Sequence, residues 1–232
     1  MLIPPRTPSE ELLDDPSLSC VEMERSLRDL WLVNRTWGGS RAFERFIVES
    51  SQRATHRRLV VLDVGAGSGH VARRLAGSLQ EAQFSAQVIA SDLQWRHLAA
   101  GRRMMGRPRP PAVCADAFAL PFPDRSVDWV VSTLLLHHFS PADNEWLIAG
   151  LSRVARVGFA LLDLRRHLFP LIFVGVAGKL LFRSRISVED GKASVRQAYT
   201  PDEVRAFASR AVPGARVTKL FPFRLLVSRL EG

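Results

Sequence analysis

The stretch VLDVGAGSGH, Val61 to His70, constrains the fold of this chain more than any other segment. A continuous apolar run of strand length, Leu59–Val64, enters a turn with glycines at 65, 67 and 69 and leaves as a helical pattern over Val71–Leu79. Apolar runs that end in a glycine turn are how buried parallel strands read. Glycine has no Cβ, so the backbone at these positions can pass close to a ligand. A helix starting near Gly69 directs its free N–H groups into the crevice at the carboxyl end of the sheet, where ligands of open α/β folds bind.

The rest of the chain continues the alternation. Gln87–Ser91, Ala112–Ala115, Val127–Ser132 and Val157–Asp163 read as strands, with Gln94–Met105 and Pro141–Val154 as helices between them. Pro201–Ala211 reads as a helix with Thr200 as N-cap, followed by strands Arg216–Leu220 and Arg224–Leu230 around Pro222. The expected fold is α/β: a Rossmann-like, seven-stranded, mostly parallel sheet with helices on both faces and an antiparallel C-terminal strand. Helical spacing over Ser17–Val33 and Ser40–Glu49 makes residues 1–56 a helical cap before a domain at 57–232, with residues 1–9 expected to be disordered. A lid-like insertion occupies about 164–199 of that domain.

A dinucleotide fingerprint needs its third glycine at position 70, where this chain has His70. The spacing is Gly-x-Gly-x-Gly instead, with Asp63 two residues ahead. A carboxylate there disfavours pyrophosphate and suits a ligand carrying an ammonium and a sulfonium. Asp92 ends the next strand, about one helix further on, where an acid can accept hydrogen bonds from both ribose hydroxyls.

VLDVGAGSGHVARRLA, IASDLQ, CADAFALPFPDRSVDWVVS and LLLHHF together resemble the class I S-adenosylmethionine-dependent methyltransferases over roughly residues 58–163. The likeness is greatest to the small-molecule group related to quinone-biosynthesis (type 11) enzymes. The resemblance implies S-adenosyl-L-methionine as cofactor, with Asp63, Gly65, Ala66, Gly67 and Gly69 around its methionine part. It implies Asp92 on the ribose, Leu93 packed on the adenine, Asp116 and Ala117 at the adenine edge, and Thr133 lining the pocket. Asp116 has a second reading as a turn cap. Trp95 reads as a core residue of its helix rather than a cover for the adenine. Arg35 either reaches the cofactor carboxylate or ends its helix at the negative pole of the dipole, with Gly38 as cap.

His137 and His138 follow the apolar stretch VVSTLLL and so emerge beside the cofactor. Either could be the general base for a phenolic acceptor, whose pKa near 10 leaves about one molecule in a thousand ionised at neutrality. Pocket shaping or capping is the alternative for both. Asp143-Asn144 reads as a helix cap, and no metal is expected. Cys20 and Cys114 are too far apart in sequence for a disulfide framework, and Cys114 reads as core. The opening MLIPPRTPSE has no apolar run, so the cytoplasm is the expected compartment.

The formal charge of +9 is nearly all arginine, with lysine only at 179, 192 and 219, and the arginines are dispersed. The Asn/Asp-Pro-Pro-aromatic and Pro-Cys motifs of nucleic-acid methyltransferases are absent, so nucleic acid is not the expected partner. Leu168–Phe182 is too short, and too interrupted by Pro170 and Lys179, to read as a membrane span. It reads as a lid forming an apolar pocket, as an interfacial segment flanked by Arg165, Arg166, Arg183 and Arg185, or as a helix packed on the core or on a partner subunit. The expected activity is methylation of a small apolar phenolic or quinol-like metabolite, oxygen favoured over carbon. An RNA or protein methyltransferase and a noncatalytic scaffold are the alternatives.

Overall fold

A computed structural model describes residues 3–37, 39–52 and 57–230. Gly38 and the expected boundary between residues 56 and 57 lie at or against positions outside these. Seven strands form one sheet: β1 (Arg58–Val64), β2 (Ser85–Asp92), β3 (Ala112–Cys114), β4 (Val127–Thr133), β5 (Ala155–Leu164), β6 (Arg216–Leu220) and β7 (Arg224–Leu230). Their order is β3-β2-β1-β4-β5-β7-β6. Strands β1 to β5 pair in parallel, and β7 lies antiparallel between β5 and β6. The strand order reverses at β1 and β4, which leaves a crevice at their carboxyl ends.

Period-two alternation sorts the apolar side chains onto two faces. Val61, Trp129, Val131 and Leu162 pack under α2 (Ser40–Ser51) and α3 (His70–Glu81), meeting Phe43, Ile47, Leu75 and Leu79. Leu62, Val130, Phe159 and Leu161 face the other way, onto α5 (Pro141–Val154) and α8 (Pro201–Ala211) through Leu147, Ile148, Leu151, Val204 and Phe207. Burial on both faces is why these strands read as unbroken apolar runs.

Both helices of the second face begin with a capping box. Ser140 with Asp143 starts α5, Thr200 with Glu203 starts α8, and proline follows each cap. The Asp143-Asn144 pair is thus part of a helix start, and the buried Asn144 amide donates to the Leu136 carbonyl at 2.9 Å.

The cap consists of α1 (Cys20–Trp37) and α2, preceded by an extended strap that contains a 3-10 turn at Leu12–Asp14. The expectation of disorder over residues 1–9 is overturned for the described residues from Ile3. The Arg6 guanidinium donates to the carbonyls of Gln197, His137 and Phe139 and lies over the Tyr199 ring. Ser9 N–H donates to the Gln197 side chain, and Leu12 and Leu13 N–H groups donate to Asp190. These contacts span more than 130 residues of sequence, so no local pattern announces them.

The insertion forms two helices, α6 (Leu168–Leu181) and α7 (Arg185–Gln197). α4 (Trp95–Met104) flanks β2 and touches α1. Among the described residues no helix is long and apolar enough to cross a membrane.

Candidate functional site

The three glycines of the turn are all left-handed, with φ of +67° at Gly65, +54° at Gly67 and +76° at Gly69. That conformation costs any residue with a Cβ roughly 1–2 kcal/mol. Gly65 is also crowded, because a Cβ there would meet Leu135 Cδ1 at 2.9 Å. Leu135 follows Leu134, a leucine held at φ +60° directly after β4. Strained backbone of this kind clusters where a site over-determines its surroundings.

Asp63 lies under this turn, wholly buried, and neither carboxyl oxygen has a hydrogen-bond partner among the described residues. The Ala72 N–H in the first turn of α3 is near enough to favour its charge slightly. Burial first and the neighbouring Asp92 second push its pKa up to about 8. A buried polar group without a partner is costly, and the cost falls when a ligand supplies the missing donor.

Asp92 closes the crevice from β2. Its Oδ2 accepts the Gly67 N–H at 2.7 Å and its Oδ1 accepts the Gln94 N–H at 2.8 Å. One carboxylate therefore fixes both the glycine turn and the loop after β2. Each oxygen keeps a second lone pair for a ligand hydroxyl. Ala66 N–H donates to the Ser91 carbonyl at 2.9 Å, completing the link between the two loops.

The other side of the crevice carries the histidines. His137 is buried, and both of its ring nitrogens meet carboxylates: Nδ1 lies 2.7 Å from Asp163 and Nε2 lies 3.3 Å from Glu11. Burial opposes its charge, but Asp163 and then Glu11 outweigh burial and raise its pKa to about 10. Glu11 answers in kind. Burial would raise it, yet the bond to His137 and the nearby charges of both histidines hold it at about 2. His137 is therefore a structural imidazolium between two carboxylates.

His138 differs. Its ring stacks against His137 with centroids 4.4 Å apart, and 26% of its side chain remains accessible. Burial and the adjacent His137 charge lower its pKa, so it is neutral at pH 7. Glu11, His137 and His138 also bring three potential ligand atoms within 4.8 Å of one another, the span of a small metal site. A protonated His137 satisfies the same carboxylates without an ion.

The strap covers the crevice. Leu13 O lies 3.4 Å from His97 Nε2, beside Asp92, and Leu27 of α1 stands 3.8 Å from where a Gly67 Cβ would be. His70 and Trp31 stack at 5.1 Å and hold α1 against the start of α3. α7 packs on the strap's 3-10 turn and on the histidine turn, and Ser194 and Gln197 both donate to Glu11. α7, which lies within the insertion at about 164–199, thus packs over this side of the crevice.

The other expected residues lie at strand ends, turns and helix ends. Leu93 is exposed at the mouth, and Thr133 ends β4 half-buried. Asp116 accepts the Phe118 N–H at 2.9 Å, which is the turn-cap geometry, and Ala117 packs against the core from the same turn. Trp95, expected in the core, is exposed as the first residue of α4, where side chains lean back toward the N-terminus and away from the sheet. Cys114, also expected in the core, is exposed at the end of a three-residue edge strand, with Sγ facing the Leu93 carbonyl. Arg35 is exposed in the last turn of α1, so its charge complements the helix dipole there.

Sequence reasoning missed Asp163 and Glu11. Asp163 carried a signal, because a carboxylate near the carboxyl end of a buried strand beside β4 must find a partner. Glu11 carried none.

A parallel sheet of order 3-2-1-4-5 with an antiparallel β7 inserted before β6, a left-handed glycine turn after β1 and an acid ending β2 are the arrangement of the class I methyltransferase fold. Residues 61–158 match the family described as a methyltransferase domain. The chain is 41% identical over 76 residues to malonyl acyl-carrier-protein O-methyltransferase of Halorhodospira halophila, covering 33% of this chain and 25% of that protein. It is 31% identical over 131 residues to an uncharacterized methyltransferase of Synechocystis, covering 56% of this chain and 57% of that one. The chain thus spans between a quarter and about 57% of these curated relatives. Magnesium protoporphyrin IX methyltransferase of Synechocystis, solved with bound S-adenosylmethionine, superposes with a TM-score of 0.54 at 14% identity, over 84% of this chain and 80% of that one. The chain thus has the fold of the class I S-adenosylmethionine-dependent methyltransferases, with a methyltransferase-domain match over residues 61–158.

Proposed function

We propose that this protein transfers a methyl group from S-adenosylmethionine to a hydroxyl of a small, apolar phenolic or quinol-like acceptor. The observation that carries the cofactor reading is Asp63, a buried carboxyl group with no partner beneath three left-handed glycines. When bound, S-adenosylmethionine supplies a methyl group already activated on a sulfonium. Asp63 and the glycine turn would hold its positively charged methionine end, and the free lone pairs of Asp92 would take the ribose hydroxyls.

His138 is the proposed base. It is neutral, partly accessible and on the turn that follows β4, whereas both nitrogens of His137 are occupied. A positioned base contributes roughly 10²–10⁴ in rate. Its imidazolium form would be stabilised by Glu11, whose Oε2 lies 3.9 Å from Nε2. Methylation of a ring carbon of the same acceptor would use the same deprotonation. An apolar acceptor agrees with the leucines around the turn, Leu134 and Leu135, and with the apolar α6 beyond α7.

The test is transfer from methyl-labelled S-adenosylmethionine into a host-cell extract, separated into lipid-soluble metabolites, RNA and protein. Label in the metabolite fraction supports the reading, and the product's mass and fragmentation place the methyl. Label confined to RNA or protein overturns it.

A further inference from the structure

We propose that α6 is a docking helix that seats this protein on an anionic lipid bilayer. The observation is the outward stripe of that helix. Phe169, Ile172, Val176 and Leu180 recur at spacings of three and four, and they are 58%, 55%, 69% and 89% exposed. They occupy one side of the helix. On the opposite side, Val174 meets α7 at Gly191, and Gly178 lies against Val188 of α7 and Phe182. A helix packed by one face onto a soluble domain normally turns polar side chains outward. Here the outward face is as apolar as the inward one.

The patch extends beyond the helix. Phe169 stacks on Phe223 of the β6–β7 turn at 5.4 Å, and Phe221 in the same turn is 90% exposed. Contiguous exposed apolar surface of this kind marks an interaction site.

Charge selects the occupant. From Leu164 to Val188 the chain contains no Asp or Glu. Arg165, half-buried over the Phe223 ring, lies at one end of α6, and exposed Arg183 and Arg185 lie at the other. An apolar stripe with arginines at both ends matches acyl chains below a layer of anionic headgroups. A second copy matches poorly, because an antiparallel pairing of two α6 helices sets the Arg165 end of each against the Arg183 and Arg185 end of the other. At 14 residues the helix is about 21 Å long and lies in the interface rather than across the bilayer. Since α7 joins α6 to the histidine turn, the bound orientation brings the site's outer wall to the lipid surface. This docking stands whether or not the acceptor is a lipid.

The experiment is flotation of the full-length protein with vesicles of phosphatidylcholine alone and of phosphatidylcholine with phosphatidylglycerol, at low and high salt. The expected result is flotation with the anionic vesicles that weakens as salt rises. A triple variant, Ile172→Ser with Val176→Ser and Leu180→Ser, is expected to lower vesicle affinity at least about tenfold, because all three side chains leave water on docking. Arg183→Ser and Arg185→Ser are each expected to lower it roughly fivefold. The substituted side chains are exposed, so thermal melts should match the wild type. No flotation with anionic vesicles overturns the proposal, and so does flotation that the triple variant leaves unchanged. Loss of vesicle binding by the triple variant alongside an unchanged molar mass in light scattering supports it. A dimer that the triple variant converts to monomer, without vesicle binding by either form, assigns the face to a second copy and overturns it.

Discussion

Asp163 accepts two hydrogen bonds from His137, one from Nδ1 to Oδ1 at 2.7 Å and one from the backbone N–H to Oδ2 at 3.1 Å. A single carboxylate at the end of β5 therefore fixes both the ring and the main chain of the turn after β4. With Glu11 on Nε2, the imidazole is held in its protonated form.

The first prediction follows from that clamp. The His137 pKa is raised from 6.5 to about 10, so its contribution to stability is full below about 6.5 and is lost as pH rises through about 10. Asp163 is lowered from 3.8, so its share is present above that value and is lost as pH falls below it. Asp163→Asn breaks a buried pair by removing one partner, an operation that costs about 3–5 kcal/mol. Thermal unfolding of the variant and the parent across pH 6 to 10 should show a large gap at pH 6 that narrows toward pH 10. A gap that is constant with pH would mean that His137 is not charged in the native state.

The two histidines should also separate in turnover. His138→Ala is expected to reduce methyl transfer to a phenolic acceptor by about 10²–10⁴ at pH 7 and by much less at pH 10, where the acceptor ionises unaided. His137→Ala is expected to lower stability and to reduce turnover by a similar factor at both pH values. Initial rates at the two pH values decide this, and a pH-independent loss in His138→Ala removes it as the base.

The elements that a local pattern encodes could be read before the structure, and the contacts that close the site could not. β1 with its glycine turn, and α5 and α8 with their Ser-Pro and Thr-Pro starts, follow from residues within ten positions of one another. The same holds for the positions of Asp63 in β1 and Asp92 at the end of β2. Glu11 reaches His137 across 126 residues, and Asp190 receives the strap across 178, so neither has a sequence signature. α7 is polar and interrupted by Gly191, and its place comes from packing between α6 and the strap rather than from its own periodicity. Cys114 lies in a strand yet is exposed, because the last residue of a short edge strand is not covered by its neighbours.

Asp63 gives a prediction about cofactor binding. With a pKa raised to about 8 by burial and by Asp92, it is mostly protonated at pH 7. A bound cation favours its ionised form, so binding S-adenosylmethionine at pH 7 should release up to one proton. Calorimetry in two buffers of different ionisation enthalpy reads this directly. S-adenosylmethionine binding without proton release at pH 7, but with normal affinity, would place the cation elsewhere.

Asp92→Ala should weaken S-adenosylmethionine at least about tenfold, since it removes charge-assisted acceptors at roughly 1.5–3 kcal/mol each. It also frees the Gly67 and Gln94 N–H groups, which loosens the turn itself. Asp92→Asn keeps one acceptor oxygen and should fall between the two in the same titration. Unchanged affinity in Asp92→Ala would remove the ribose role.

Two glycines separate binding from folding. A Cβ on Gly101 of α4 would run into the Ser68 carbonyl and the backbone behind it, neither of which is a flexible side-chain end. Gly101→Ala must therefore push α4 away from the glycine turn, and overpacking of this kind costs about 1–3 kcal/mol. Gly65→Ala meets only the movable tip of Leu135, but it forces a left-handed alanine at φ +67° into the floor of the crevice. Melting temperature should fall more in Gly101→Ala, and S-adenosylmethionine affinity should fall more in Gly65→Ala. If Gly65→Ala instead bound S-adenosylmethionine as the parent does, the turn after β1 would be a packing device, and the cofactor would have to sit away from it.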